Sequence, residues 1–95
     1  MDDKVQFQRN PEYIYREVAG ESVLVHTGKA AESFFGIASI NSTGAFLWKV
    51  LERERSFGEL REIFAREYEL EEDQSRQDVA EFLEAALSRN MVLRC

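Results

Sequence analysis

His26 and Cys95 are the one imidazole and the one thiol of this chain, and nothing in the sequence sets them side by side. Nucleophilic catalysis by such a pair needs the two groups within hydrogen-bond reach of each other. Cys95 is the last residue, where chains fray, and reads as a bystander thiol. His26 falls in a strand-like stretch and reads as a structural or surface residue. No second His or Cys completes a zinc site, and no closely spaced glycine pair forms a phosphate cradle. Carboxylates are numerous, but Glu69, Glu71, Glu72 and Asp73 read as the solvated start of a helix. General acid–base work would require a pocket that perturbs their pKa. Arg61 and Arg66 read as members of i, i+4 surface pairs. The expectation is no catalytic residue, no metal and no cofactor, which leaves binding.

Charge narrows what is bound. The net charge is −6, with four basic against six acidic residues in 1–40 and eight against twelve in 41–95. Nucleic-acid binders take most of their affinity from a basic face that neutralises phosphates, and here the helical half is the more acidic one. A winged-helix DNA-binding regulator is therefore the alternative reading, with the third helix as reader, and charge opposes it. Ninety-five residues form one domain, since a second would have too little interior to bury. Seven Phe supply a modest core. A lone cysteine allows no internal disulfide and suits a reducing compartment. Met1-Asp2-Asp3-Lys4 is followed by no apolar signal-type stretch, and no run approaches the ~20 apolar residues of a membrane span. A cytoplasmic protein with no membrane partner is expected.

The elements that would present a binding surface follow from patterning. Residues 1–11 are polar, end in Asn10-Pro11, and read as a flexible lead-in. Tyr13–Val18 and Ser22–Thr27 carry the β-branched and aromatic content of strands. Ala19-Gly20-Glu21 between them suits a hairpin with glycine at positive φ. A third strand is expected over Ser33–Ser39. Asn41 is then a good N-cap, with Ile40 and Ala45 at the spacing of a hydrophobic staple. The helix it opens is expected over Ser42–Arg53, with Leu47, Trp48 and Leu51 on one face. Ser56-Phe57-Gly58-Glu59 is a capping box opening a second helix through Leu60, Ile63, Phe64 and Tyr68. A third begins near Glu71-Glu72-Asp73, acids suited to a helix N-terminus. It carries the stripe Val79, Phe82, Leu83, Ala86 and Leu87, and ends at Asn90, a residue suited to a left-handed cap. Met91-Val92-Leu93 is expected to pack back as a short extended segment. The fold class is α+β, of winged helix-turn-helix type: a three-stranded antiparallel sheet followed by three helices.

In a three-strand meander the outer strands keep a row of unpaired N–H and C=O groups. Ser33–Ser39 lacks the charge or proline that usually blunts such an edge. Another chain could add to it by backbone hydrogen bonds, with side-chain pockets giving specificity. The same residues also suit a buried strand: Phe34, Phe35 and Ile37 read equally as core, and Gly36 as a bulge or close backbone approach. Phe82 and Leu83 read as core, while Arg76, Val79, Ala86 and Leu87 border the stripe and suit a groove. The exposed edge also leaves a swapped or edge-paired homodimer open.

The order of these segments resembles one family. Ile40-Asn41-Ser42-Thr43-Gly44-Ala45-Phe46-Leu47-Trp48 is similar to the "Leu-Asn-x-Thr-Gly/Ala-x-x-Ile-Trp" junction of PqqD-like proteins, the leader-peptide-binding domains also called RiPP recognition elements. Ser56-Phe57, Glu59-Leu60, Asp78-Val79, Phe82-Leu83 and Leu87 sit where that family has similar runs, and the resemblance spans about Tyr13 to Leu93. It implies a non-catalytic peptide chaperone in the biosynthesis of a peptide natural product or a PQQ-like cofactor. The leader of a ribosomally made precursor would join the sheet between the third strand and third helix. The domain would present it to a modifying enzyme, a radical-SAM maturase, a cyclase or a leader protease. By the resemblance Phe34, Phe35, Gly36, Ile37, Ala38 and Ser39 are the accepting strand. Val79, Leu83, Ala86 and Leu87 form the apolar wall, Arg76 meets an acidic leader residue, and Trp48 is core. The family often has an aromatic shortly before its Leu-Asn, where this chain has Ala38. The strand's register is open by a residue or two, and a one-residue slip exchanges its faces.

Overall fold

The structure, a computed structural model, describes residues 1–27 and 37–95. Its elements are β1 (Gln6–Arg9), β2 (Tyr13–Val18), β3 (Glu21–His26), β4 (Ile37–Ile40), α1 (Ser42–Val50), β5 (Arg55–Ser56), α2 (Phe57–Tyr68), α3 (Glu72–Ser88) and β6 (Val92–Arg94). β2, β3 and β4 form a three-stranded antiparallel meander in that order, and the fold is α+β. The β2–β3 hairpin turns on two residues, Ala19 at φ 53° and Gly20 at φ 83°. Positive φ at both central positions is what a type I′ turn requires, and its twist matches that of the strands it joins.

Cross-strand partners share a face, which resolves the register of β4. Leu24, fully buried, is opposite Ala38, and Ser22 is opposite Ile40. Ala38 and Ile40 therefore turn toward the core, against which both pack. Ile37 and Ser39 turn to the other face, and Ile37 is 62% exposed.

The N-terminal residues are a correction to their reading as a flexible lead-in. Gln6–Arg9 is the central strand of a second sheet, ordered β5-β1-β6, and Phe7 is only 1% exposed. Its partners are distant in sequence: Gln6 pairs with Ser56, and Arg9 with Val92. A strand of four residues with one core side chain carries almost no local signal. Its order comes from those pairings, closed by hydrogen bonds from Cys95 N to Gln6 O at 2.9 Å and from Phe57 N to Val5 O at 2.9 Å.

α1 and α2 begin where their caps place them. Asn41 Oδ1 accepts from Gly44 N at 2.8 Å. Ser56 and Glu59 make both bonds of the capping box, at 2.9 and 3.1 Å. α1 stops at Val50, short of Arg53, because the Leu51 carbonyl accepts from Arg9 N at 3.1 Å and joins the β1 side of the molecule. α3 ends with Asn90 at φ 57°, the left-handed conformation expected of it. Leu47, Trp48, Leu51, Phe57, Leu60, Phe64, Val79 and Leu83 meet with Phe7, Leu24 and Val92 in one core. Trp48 Nε1 donates to Met91 O at 3.2 Å, so its one polar atom is satisfied inside.

Arg61 ties the N-terminal segment to the helices. Its guanidinium makes two bonds to the Asp3 carboxylate, 2.9 and 2.7 Å, and one of 2.7 Å to Glu72. These carboxylates raise the Arg61 pKa further, and the guanidinium in turn holds the Asp3 carboxyl below its usual range. Gly58 lets this segment lie close: a Cβ there would stand 3.2 Å from the Asp3 Cβ and 3.3 Å from the Asp3 carbonyl oxygen.

Candidate functional site

Between the end of β4, the start of α1 and one flank of α3 lies a cleft of about 530 Å³. Ser39, Ile40, Asn41, Thr43 and Gly44 line one side, and Asp78, Glu81, Phe82, Ala85 and Arg89 the other. Leu47, Phe64, Ala86 and Met91 contribute the floor, all four buried residues of the core. The first turn of α1 keeps this space narrow without closing it. A Cβ on Gly44 would stand 2.9 Å from Asn41 Oδ1, 3.0 Å from Ile40 Cγ1 and 3.3 Å from Phe82 Cε1. A side chain there would thus push on the cap, the strand and the far wall together.

β4 is the last strand of its sheet, paired on one side with β3. No strand among the described residues covers its other side. An antiparallel strand directs its backbone N–H and C=O groups alternately to its two neighbours, so among the described residues the outer row has no strand partner beside the cleft. An apolar floor next to an uncovered sheet edge is the arrangement that accepts an extended peptide as an added strand.

The expected site residues separate into several groups. Phe34, Phe35 and Gly36 lie outside the described residues. Ser39 lines the cleft, Ala38 packs inward on the core and Ile37 points to the opposite face of the sheet. Val79 and Leu83, expected as the apolar wall, are completely buried in the core and do not reach the cleft. Ala86 is equally buried yet contributes to the floor. Leu87 packs against the core instead. Arg76 is turned away, 3.7 Å from the Asp3 carboxylate and 5.7 Å above the Phe57 ring.

Helix geometry explains the displacement. At 3.6 residues per turn Arg76 lies roughly 160° around the helix from Asp78, and Leu83 roughly 140°. The most continuous apolar stripe of a helix is the one that enters the core, and Val79, Leu83 and Ala86 belong to it. The cleft takes the neighbouring mixed stripe, Asp78, Phe82, Ala85 and Arg89, spaced i, i+4, i+7, i+11. That second periodicity is the signal that would have found these residues. Thr43 and Gly44 were visible as part of the junction that resembles the family motif, not as cleft residues.

The charged residues of the wall have no ionic partner among the described residues. Asp78 accepts from Gln74 Nε2 at 2.8 Å and Glu81 from Gln77 Nε2 at 3.3 Å, both neutral amides. Arg89 follows the last turn of α3, and its carbonyl accepts from the Tyr13 hydroxyl at 3.0 Å. No described helix is long and apolar enough to cross a membrane.

The comparisons with known proteins bear on the fold that carries this cleft. The sequence profile of the family described as "Coenzyme PQQ synthesis protein D (PqqD)" matches residues 21–92. The chain belongs to this PqqD family. Among solved structures it is similar to one described as "TbiB1 in Complex with the TbiA(beta) Leader Peptide". The TM-score is 0.69 at 19% identity, over 90% of this chain and 93% of that one. That likeness establishes a shared fold. No curated protein sequence matches the chain significantly.

Proposed function

We propose that this protein is a non-catalytic peptide-binding domain. It takes the leader segment of a ribosomally made precursor as an added strand on β4 and presents that precursor to a modifying enzyme. The observation that carries the reading is the uncovered edge of β4 facing a cleft with an apolar floor. Membership of the PqqD family supports it, as does the shared fold with a protein solved together with a leader peptide. The Ser39–Ile40 edge supplies backbone bonds, and Phe82 and Ala85 supply the wall. A nucleic-acid role is disfavoured: α3 carries Glu72, Asp73, Asp78, Glu81 and Glu84, which phosphate repels.

Magnitudes are adequate. Backbone bonds contribute roughly 0.5–1.5 kcal/mol each, and two or three buried peptide side chains about 1.5–3 kcal/mol each. After the cost of ordering a disordered peptide, a Kd on the order of 1 μM is expected. The test is an amide NMR titration with leader peptides encoded beside this gene. Shifts should concentrate at Ile37–Ile40, Thr43, Gly44 and the α3 residues Asp78, Phe82, Ala85 and Arg89. Saturable binding with shifts confined to β1, β5 and β6 would overturn the proposed cleft, and no binding of any such leader would overturn the function.

A further inference from the structure

The walls of the cleft are charged unevenly along its length. Asp78 and Glu81 stand toward the middle of α3, and Arg89 at its C-terminal end. Two contacts orient this gradient against β4. The Phe82 ring lies against Gly44, just beyond the end of β4, since a Cβ on Gly44 would stand 3.3 Å from it. The Arg89 carbonyl accepts from the hydroxyl of Tyr13, which pairs with His26 at the end of β3 where β4 begins. α3 therefore runs opposite to β4. Every strand pair in this sheet is antiparallel, and a further strand added in the same sense runs in the direction of α3. Its earlier residues pass Asp78 and Glu81, and its later ones pass Arg89.

We infer that the cleft reads charge order and thereby direction: its occupant carries a basic side chain followed, about four residues later, by an acidic one. This rests on the peptide-binding reading above. The spacing follows from geometry. Glu81 and Arg89 are eight residues apart, about 12 Å along a helix at 1.5 Å per residue. An extended chain covers that in about four residues at 3.3 Å each. Positions i and i+4 of a strand also project to the same face, so both charges can meet the α3 wall together. Neither sign is already neutralised, because Asp78 and Glu81 are bonded only to amides and Arg89 has no carboxylate within ion-pair distance among the described residues.

Three synthetic, end-capped decapeptides of identical apolar background test it: Lys at position 3 with Glu at 7, Glu at 3 with Lys at 7, and Gln at both. Binding to the full chain is followed by fluorescence anisotropy at low salt and by amide shifts. The Lys-first peptide should bind about tenfold tighter than the Glu-first one, with the neutral peptide between, and the gap should shrink as salt rises. Glu81→Lys combined with Arg89→Glu should invert the order of affinities. Equal affinities, or a preference for the Glu-first peptide, would overturn the charge reading while leaving the cleft as a peptide site. If none of the three, the neutral peptide included, shifts Ile37–Ile40 or Phe82, the peptide-binding cleft falls and the charge reading with it.

Discussion

Phe82 and Leu83 are neighbours in sequence with separate duties. Leu83 is enclosed in the core, whereas Phe82 is half-buried and forms cleft wall. Leu83→Ala should lower stability by about 2–5 kcal/mol and leave the affinity of the folded fraction intact. Phe82→Ala should weaken peptide binding roughly tenfold to hundredfold, the equivalent of one buried aromatic contact, with a smaller loss of stability. Denaturant unfolding and titration on the same two variants check this, and a reversed pattern would show that the faces of α3 are misassigned. Gly44 gives a second test. On helix propensity alone Gly44→Ala would stabilise by about 1 kcal/mol. The new Cβ instead meets Asn41 Oδ1 at 2.9 Å and Ile40 Cγ1 at 3.0 Å. Displacing the cap costs about 1 kcal/mol and crowding the strand more, so unfolding by urea should show a net destabilisation.

Among the elements, those with local signals were readable in advance. The caps of α1 and α2, the left-handed Asn90 and the β2–β3 hairpin follow from side chains that act within a few residues of themselves. β1 was not readable, because its order depends on Ser56 and Val92, which no local pattern connects to Gln6–Arg9. α3 was read as a helix, but most residues expected along its groove fall outside the cleft, Val79 and Leu83 on the core stripe, since apolarity identifies the side that is buried and not the side that lines a cleft. The hairpin supplies its own prediction. Ala19 sits at φ 53°, a conformation costing an L-residue about 1–2 kcal/mol that asparagine tolerates better. Ala19→Asn should raise stability by roughly 0.5–1 kcal/mol, giving the Asn-Gly pair favoured in type I′ turns. An unchanged or lowered unfolding midpoint would contradict the turn geometry.

For the molecule as a whole, two carboxyls make stability depend on acid. The Arg61 guanidinium holds the Asp3 carboxyl below its usual range, and the Ser56 backbone N–H does the same for Glu59. A group with a depressed folded-state pKa adds stability above its unfolded value, near 4 for carboxyls. That contribution is lost as pH falls through the folded-state pKa. The thermal midpoint should therefore be level from about pH 7 to 5 and decline below about pH 4. Asp3→Asn should remove part of that decline, and a variant with the wild-type slope would show that the Arg61 contact is not coupled to folding.

The second sheet has a consequence for the order of events during synthesis. β1 emerges from the ribosome first among the strands, but one of its two neighbours is β6, made more than eighty residues later. β1 can pair on one side with β5 once Arg55 and Ser56 are made, but its other side waits for Val92, while the meander from β2 to β4 can close on nearby partners. Local pairs form before distant ones, so the nascent chain carries the open edge of β4 before its own first strand has both of its neighbours.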